Sequence, residues 1–376
     1  MEHYLDNAAT TAVCPEAAEA AVRAMTECYG NPSSTHTKGR EAARMLAHAR
    51  SQVSAALGCA PGELIFTSCG SESDNWAVLA GAEANRRVGR HVISSAVEHD
   101  AVRRPLELLE QRGWEVTRLK PAPDGSIRPE DVQAALREDT ALVSLMMVNN
   151  ETGGVTDVAA VARLLKAAGS RALLHTDAVQ AFMKLPFSAG TLGADMISIS
   201  GHKIHAPKGV GALYVRGGLR LQPFLVGGGQ ENGRRAGTEA TGQICAFGAA
   251  AEIAGRGMAE NTARMAALKS EALERLHAAI PELRHVDSAA PHILSVSLPG
   301  WRSEVLMNYL EARGIYVSKS SACKKGARSH VLEAIGLPAP VIDGALRIGL
   351  SRFTTGEDVE ALCAALRDAR NTLAHR

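Results

Sequence analysis

The sequence predicts an α/β protein: a mostly parallel seven-stranded sheet with helices on both faces, followed by a smaller α+β part. Three observations carry this. Short apolar runs alternate with amphipathic stretches over the first two thirds of the chain, which is how strands buried on both faces read when helices connect them. The alternation stops after about Gly242. The length, 376 residues, exceeds what one compact core usually holds.

The strand candidates are Glu63–Thr67, His91–Ser95, Trp114–Leu119, Ala141–Val148, Ala172–Thr176, Asp195–Ser200 and Gly211–Val215. Helix candidates before and between them are Pro15–Cys28, Thr37–Leu57, Glu72–Arg87, Ala101–Arg112, Pro129–Leu136 and Asp157–Ala168. Beyond Gly242 a long helical stretch is expected over Gln243–Ile280. A strand at Ile293–Leu298, a helix at Glu304–Arg313 and a strand at Ala345–Leu350 follow. The last helix opens with Thr355-Gly356-Glu357-Asp358, a capping-box pattern. Its apolar residues Val359, Leu362, Cys363, Leu366 and Leu373 keep to one face. The expected division is a large domain over 15–250 and a small one over 251–376, with residues 1–14 packing near the small one.

Composition excludes several classes. Lys plus Arg is 41 and Asp plus Glu is 40, a net charge of +1, so no basic or acidic excess points to nucleic acid. The start, Met1-Glu2-His3-Tyr4-Leu5-Asp6, lacks a signal-peptide pattern, and no apolar run is long enough to span a bilayer. A cytoplasmic enzyme is the expectation. The 7 cysteines include no Cys-x-x-Cys pair, which argues against a disulfide framework and a metal site.

Three features carry chemistry. Ser200-Gly201-His202-Lys203 follows a buried strand and precedes the glycine-rich Pro207–Gly211. A lysine at such a strand end has a depressed pKa when it sits in a cleft, and such lysines form Schiff bases; alone, it reads equally as a turn lysine. Asp177, in His175-Thr176-Asp177, ends another buried strand. Pyridoxal 5'-phosphate needs an anion against its pyridine nitrogen, and Asp177 has that charge; a helix cap or salt bridge is the plain alternative. Thr67-Ser68-Cys69-Gly70-Ser71-Glu72 runs from strand to helix, and Gly70 and Ser71 offer N–H groups and a hydroxyl to an anion, or simply cap the helix. Together they place an anion site, an acid and a lysine at the strand ends where α/β sheets bind ligands.

With these residues in view, the chain resembles the cysteine desulfurases of the NifS/IscS type, within the class V pyridoxal-phosphate-dependent aminotransferases of fold type I. The matching motifs run from Tyr4–Thr11 to Arg352-Phe353-Thr354-Thr355. They include Gly30-Asn31-Pro32-Ser33-Ser34, Glu72-Ser73-Asp74-Asn75, Glu98-His99 and Val148-Asn149-Asn150-Glu151. Ser200–Lys203, Gly227–Glu231, Arg235-Ala236-Gly237-Thr238 and Ser321-Ala322-Cys323 complete them.

The resemblance implies the following roles. Lys203 holds the cofactor and moves protons, Asp177 pairs with the pyridine nitrogen, and His99 stacks on the ring as an acid or base. Asn150 and Gln180 contact the ring hydroxyl side. Gly70, Ser71, Ser200 and His202 bind the phosphate, and Thr238 reaches the phosphate of the neighbouring subunit of a homodimer. Arg347 clamps the substrate carboxylate with Asn31 and Asn150 near it. Cys323 takes the sulfur of L-cysteine as a persulfide and leaves alanine, for an iron–sulfur scaffold or a tRNA-thiolation enzyme. Two places depart from the family: Cys69-Gly70-Ser71 in the phosphate loop, and a short basic loop after Cys323, Lys324–Ser329. The alternatives are a related lyase or transaminase, such as a selenocysteine or cystine lyase, for which Cys323 is dispensable, and a non-catalytic partner in a sulfur-transfer complex.

Overall fold

The computed structural model describes residues 2–319 and 328–374. Strand β1 (His3–Tyr4) is followed by α1 (Pro15–Thr26), α2 (Thr37–Leu57), β2 (Leu64–Thr67), α3 (Gly70–Ala84), β3 (His91–Ser95) and α4 (Asp100–Gln111). Next come β4 (Glu115–Leu119), α5 (Pro129–Ala135), β5 (Thr140–Met146), α6 (Val158–Ala167), β6 (Leu173–Asp177), α7 (Ala189–Leu192), β7 (Met196–Ser200) and β8 (Gly211–Val215). Beyond these lie α8 (Thr241–Arg256), α9 (Met258–Ala279), β9 (Arg284–Val286), β10 (Ile293–Ser297), α10 (Ser303–Glu311), β11 (Ile315–Tyr316) and β12 (Ser318–Lys319). The chain ends in α11 (His330–Ala334), α12 (Ala339–Asp343), β13 (Ala345–Gly349) and α13 (Gly356–Thr372).

Seven strands form the main sheet in the order β2-β8-β7-β6-β5-β3-β4. Only β8 runs against its neighbours, β2 and β7. The carboxyl ends of β2, β3, β5, β6 and β7 therefore share one edge, which is where every chemistry-bearing segment leaves the sheet. Strands β5, β6 and β7 are buried along their whole length; β5 and β7 are apolar or small-residue runs, while β6 also buries His175 and Asp177.

A second, antiparallel sheet has the order β12-β13-β10-β9. Its core gathers Leu5 with Met265, Leu294, Leu346, Leu362 and Leu366. A separate core around the main sheet gathers Val53, Leu145, Ile197, Phe182 and Phe247. The N-terminal segment joins the two. It pairs with β11 through β1 and bridges Asp6 to Gly349. A Cβ at Gly349 would lie 2.4 Å from the Ala8 nitrogen, so this approach needs glycine.

The expected single helix over Gln243–Ile280 is two helices that break at Gly257. The reason is packing as well as glycine's weak helix propensity. Residues Ile244–Ala251 enter the first core, whereas Met265, Leu268 and Leu276 enter the second. One straight helix would leave one of these faces in water. The capping box of α13 forms as its sequence implies: Thr355 N donates to Asp358 Oδ2 at 2.8 Å, and Asp358 N donates back to Thr355 Oγ1 at 3.4 Å.

Candidate active site

At the carboxyl edge of the main sheet lies a cavity of about 530 Å³. Its wall includes Gly70, Ser71, His99, Asn150, Asp177, Gln180, Ser200, His202, Lys203 and Arg347, which fall between residues 70 and 347 of the chain. Two expected residues stand elsewhere: Asn31 and Thr238 are exposed and do not line it. Cys323 lies outside the described residues.

Lys203 follows β7 in a single 3-10 turn, Gly201–Lys203. Its Nζ donates to the carbonyls of Ala8 and Ala9 at 2.7 and 2.6 Å. Burial, helped by the positive charge of Arg347, lowers its pKa to about 8. An amine so placed is available as a nucleophile near neutral pH.

Asp177 ends β6, opposite Met146 of β5 and Ser198 of β7. It is 6% exposed, and its Oδ1 accepts the Val179 N–H at 2.9 Å. Burial raises its pKa, while that hydrogen bond and the nearby His99 and Lys203 oppose the rise. His99 caps α4: its Nδ1 accepts the Ala101 N–H at 3.1 Å. That bond assigns the ring proton to Nε2 when the imidazole is neutral.

The anion cradle is built from two loops. Helix α3 begins at Gly70, and its N-cap, Cys69, makes no side-chain cap. A Cβ at Gly70 would stand 2.7 Å from Val179 Cγ2 and 3.4 Å from Ser200 Cβ, so the backbone is packed tightly there. The buried Ser200 Oγ has no hydrogen-bond partner among the described residues. His202 contacts Thr10 Oγ1 through Nδ1 at 3.2 Å, and burial lowers its pKa to about 4, so it is a neutral donor or acceptor. Free helix N–H groups beside an unpartnered hydroxyl suit a phosphate.

Arg347 on β13, in the same cavity wall as Lys203, is 4% exposed. It donates through Nη1 to the Asn150 carbonyl at 3.1 Å and through Nη2 to Asp6 Oδ1 at 3.0 Å. Gln180 is fixed by its donation from Nε2 to the Ala8 carbonyl at 2.8 Å.

Sequence reading gave no role to several groups of this wall. Asp74, Glu98, Arg328 and His330 line the cavity, and the Ala8 and Ala9 carbonyls hold the lysine. Asp74 and Glu98 had a signal only as members of the matching motifs Glu72-Ser73-Asp74-Asn75 and Glu98-His99. The carbonyls had none, because any residue type supplies one.

A buried nucleophilic lysine, a strand-end acid and an anion cradle around one cavity fit pyridoxal phosphate, and they define an enzyme dependent on it. The aminotransferase class-V family matches residues 3–362. A protein named cysteine desulfurase 2 from Trichormus variabilis is 42% identical over 362 residues, covering 95% of this chain and 90% of that protein. A solved NifS-like protein superposes with a TM-score of 0.94 at 36% identity, covering 99% of this chain and all of the other. A structure described as SspA in complex with cysteine gives a TM-score of 0.80 at 30% identity over 94% of this chain and 100% of that one. The chain belongs to the class V aminotransferase family, and pyridoxal phosphate is its cofactor.

Proposed function

We propose that this chain is a cysteine desulfurase, taking sulfur from L-cysteine to leave L-alanine and a persulfide on Cys323. The observation that carries the reading is the placement of Lys203, Asp177 and Arg347 on one cavity wall. It provides an amine, an anion and a carboxylate clamp for an amino-acid substrate.

Pyridoxal phosphate, held through Lys203, supplies an electron sink for the substrate's α carbon. Asp177 would keep the pyridine nitrogen of the bound cofactor protonated, and His99 would cover its ring. Gly70, Ser71, Ser200 and His202 hold the phosphate, while Asn150 and Gln180 reach the ring hydroxyl. Arg347 takes the substrate carboxylate in a bidentate grip. With the cofactor bound, Lys203 would move protons at the substrate's α carbon. The Cys323 thiolate attacks the substrate sulfur. The Cβ–S bond breaks with its electron pair passing to carbon, an S–S bond forms, and the carbon is protonated to alanine.

The exposed positions of Thr238 and Asn31 support a homodimer in which Thr238 completes the neighbour's phosphate site and Asn31 approaches a substrate carboxylate. We place the boundary between the cofactor-binding part and the smaller C-terminal part at Gly257, seven residues beyond the position expected from sequence, because α8 packs into the first core and α9 into the second. The sulfur goes to an iron–sulfur scaffold or a tRNA-thiolation enzyme. No helix among the described residues is long and apolar enough to cross a membrane.

The test supplies L-cysteine and a reductant to the cofactor-loaded protein and assays alanine and sulfide in equal amounts. Loaded protein that yields neither overturns the reading. Cys323→Ser is expected to keep the cofactor's near-visible absorbance and lose the protein persulfide. A fully active Cys323→Ser protein assigns the chain to the lyases that do not need this thiol.

A further inference from the structure

Asp177 is not the only acid in the cavity wall. Asp74 on α3 and Glu98 after β3 line the same space, and each is 1% exposed. Among the described residues, Asp74 Oδ1 has no hydrogen-bond partner, and neither has Glu98 Oε2. Glu98 Oε1 accepts from Ser95 Oγ at 2.5 Å and from Met146 N at 3.1 Å.

The base beside Asp74 is His175, whose Nε2 is 3.6 Å from Asp74 Oδ1. It supplies no counter-charge. Its Nδ1 meets Ser144 Oγ at 2.8 Å, its Nε2 meets Ser198 Oγ at 3.0 Å, and complete burial pushes its pKa down to about 3. Lys203, a cation near this wall, favours the charge of Asp177. Asp177, Glu98 and Cys69 instead oppose the ionisation of Asp74, with a Ser198 hydroxyl as the one group favouring its charged form. Burial and these acids push its pKa well above the aspartate range. Neighbouring carboxyls in one desolvated wall cannot all ionise, and the one favoured by a cation keeps the charge.

We infer that Asp74 is a positioning residue: it holds a proton, donates it as a hydrogen bond to Asp177, and leaves Asp177 as the single anion behind the cofactor ring. The proton also turns the unpartnered Asp74 oxygen into a donor, which removes an otherwise uncompensated buried acceptor. This rests on the reading of Asp177 as the partner of the pyridine nitrogen.

The test uses infrared difference spectra of the cofactor-free protein at neutral pH, parent against Asp74→Asn. Asparagine has the size and neutrality of a protonated aspartate. A protonated-carboxyl C=O band is expected in the parent and absent from the variant. Identical carboxyl bands in both proteins mean that Asp74 is ionised and overturn the inference. Should asparagine disturb folding, Asp74→Ser must lose the same band. In the loaded enzyme, Asp74→Asn is expected to keep kcat within about threefold, whereas Asp74→Ala lowers kcat about tenfold with KM little changed. The reverse order of the two variants also overturns it. Asp177→Ala separates the two claims: a variant that binds cofactor and turns over like the parent refutes the Asp177 role, whatever the Asp74 band shows.

Discussion

Arg347 Nη2 stands 3.0 Å from Asp6 Oδ1, so the N-terminal segment orients the fork that faces the cavity. The second arm is tied to the Asn150 carbonyl, while the buried Nε has no partner among the described residues. Lysine at this position would keep a charge but lose the fork. Arg347→Lys is expected to raise KM for L-cysteine on the order of tenfold to a hundredfold, equivalent to one lost charge-assisted hydrogen bond. Asp6→Asn removes an anion that competes with the substrate carboxylate and is expected to lower KM, by less than about tenfold. Steady-state kinetics on both variants check this; an unchanged KM in Arg347→Lys would refute the clamp.

The lowered pKa of Lys203 sets how fast free protein captures its cofactor, because only the neutral amine attacks. The capture rate is expected to rise with pH and level off above about 8, whereas an ordinary lysine's rate would climb toward 10.5. Stopped-flow absorbance measures it, and Lys203→Ala is expected to give no cofactor band that borohydride alters. Stability carries the same sign. Below about 8 both folded and unfolded chains hold the proton, and the full cost of burying the charge is present. Between about 8 and 10.5 the folded chain has released it, so stability rises with pH. Cofactor-free Lys203→Met is therefore expected to be more stable than the parent at neutral pH, with a gap that narrows as pH rises.

Glu72 and Arg235 form a partly buried two-point pair, with Nε to Oε1 at 2.9 Å and Nη2 to Oε2 at 3.1 Å. It ties the segment carrying Thr238 to the first turn of α3, where the anion cradle begins. Burial alone would raise the Glu72 pKa, but hydrogen bonds from Arg235 and Ser68 together hold it below 4.5. A depressed carboxyl contributes stability above its unfolded pKa and loses it as pH falls through the folded value. Glu72→Gln is expected to cost about 2 kcal/mol at neutral pH. The deficit shrinks as pH falls below 4.5 and through the lowered folded value, where the parent carboxyl becomes protonated too. Denaturant titrations at the two pH values test it, and a deficit independent of pH would exclude the ion pair as its source. Cofactor retention should weaken in parallel.

Local pattern carries much of this architecture. His91–Ser95 and Thr37–Leu57 read directly from apolar run and helical period, and the structure has them at those bounds. Residues that leave strand ends, Asp177 and Lys203, were legible because a charge after a buried run is costly without a purpose. What sequence hid depends on long-range pairing. The two-residue strands His3–Tyr4 and Ile315–Tyr316 exist because they meet each other, which no local pattern encodes. The break at Gly257 follows from two cores, not from the helical period. The anchoring of Lys203 by Ala8 and Ala9 uses backbone atoms far away in sequence.

Glu98 directly precedes His99, and its charge state shows in the folding equilibrium. Burial pushes its pKa up to about 8, against hydrogen bonds from Ser95 and Met146. Between the ordinary value of 4.5 and about 8, the folded chain holds a proton that the unfolded chain has released. Folding then takes up that proton, so this group's contribution to stability falls as pH rises through the window and levels off above it. The slope from one such group is about 1.4 kcal/mol per pH unit. Glu98→Gln keeps an oxygen for Ser95 Oγ and Met146 N but cannot titrate. The cofactor-free variant is expected to lose about one proton's worth of that slope, and to exceed the parent in stability most at the alkaline end. Glu151, pushed up to about 7 by burial, keeps titrating in both proteins and leaves a shallower dependence. Denaturation midpoints across this pH range decide the matter: equal slopes in parent and variant would mean that Glu98 is ionised in the folded protein, with a second negative charge beside Asp177.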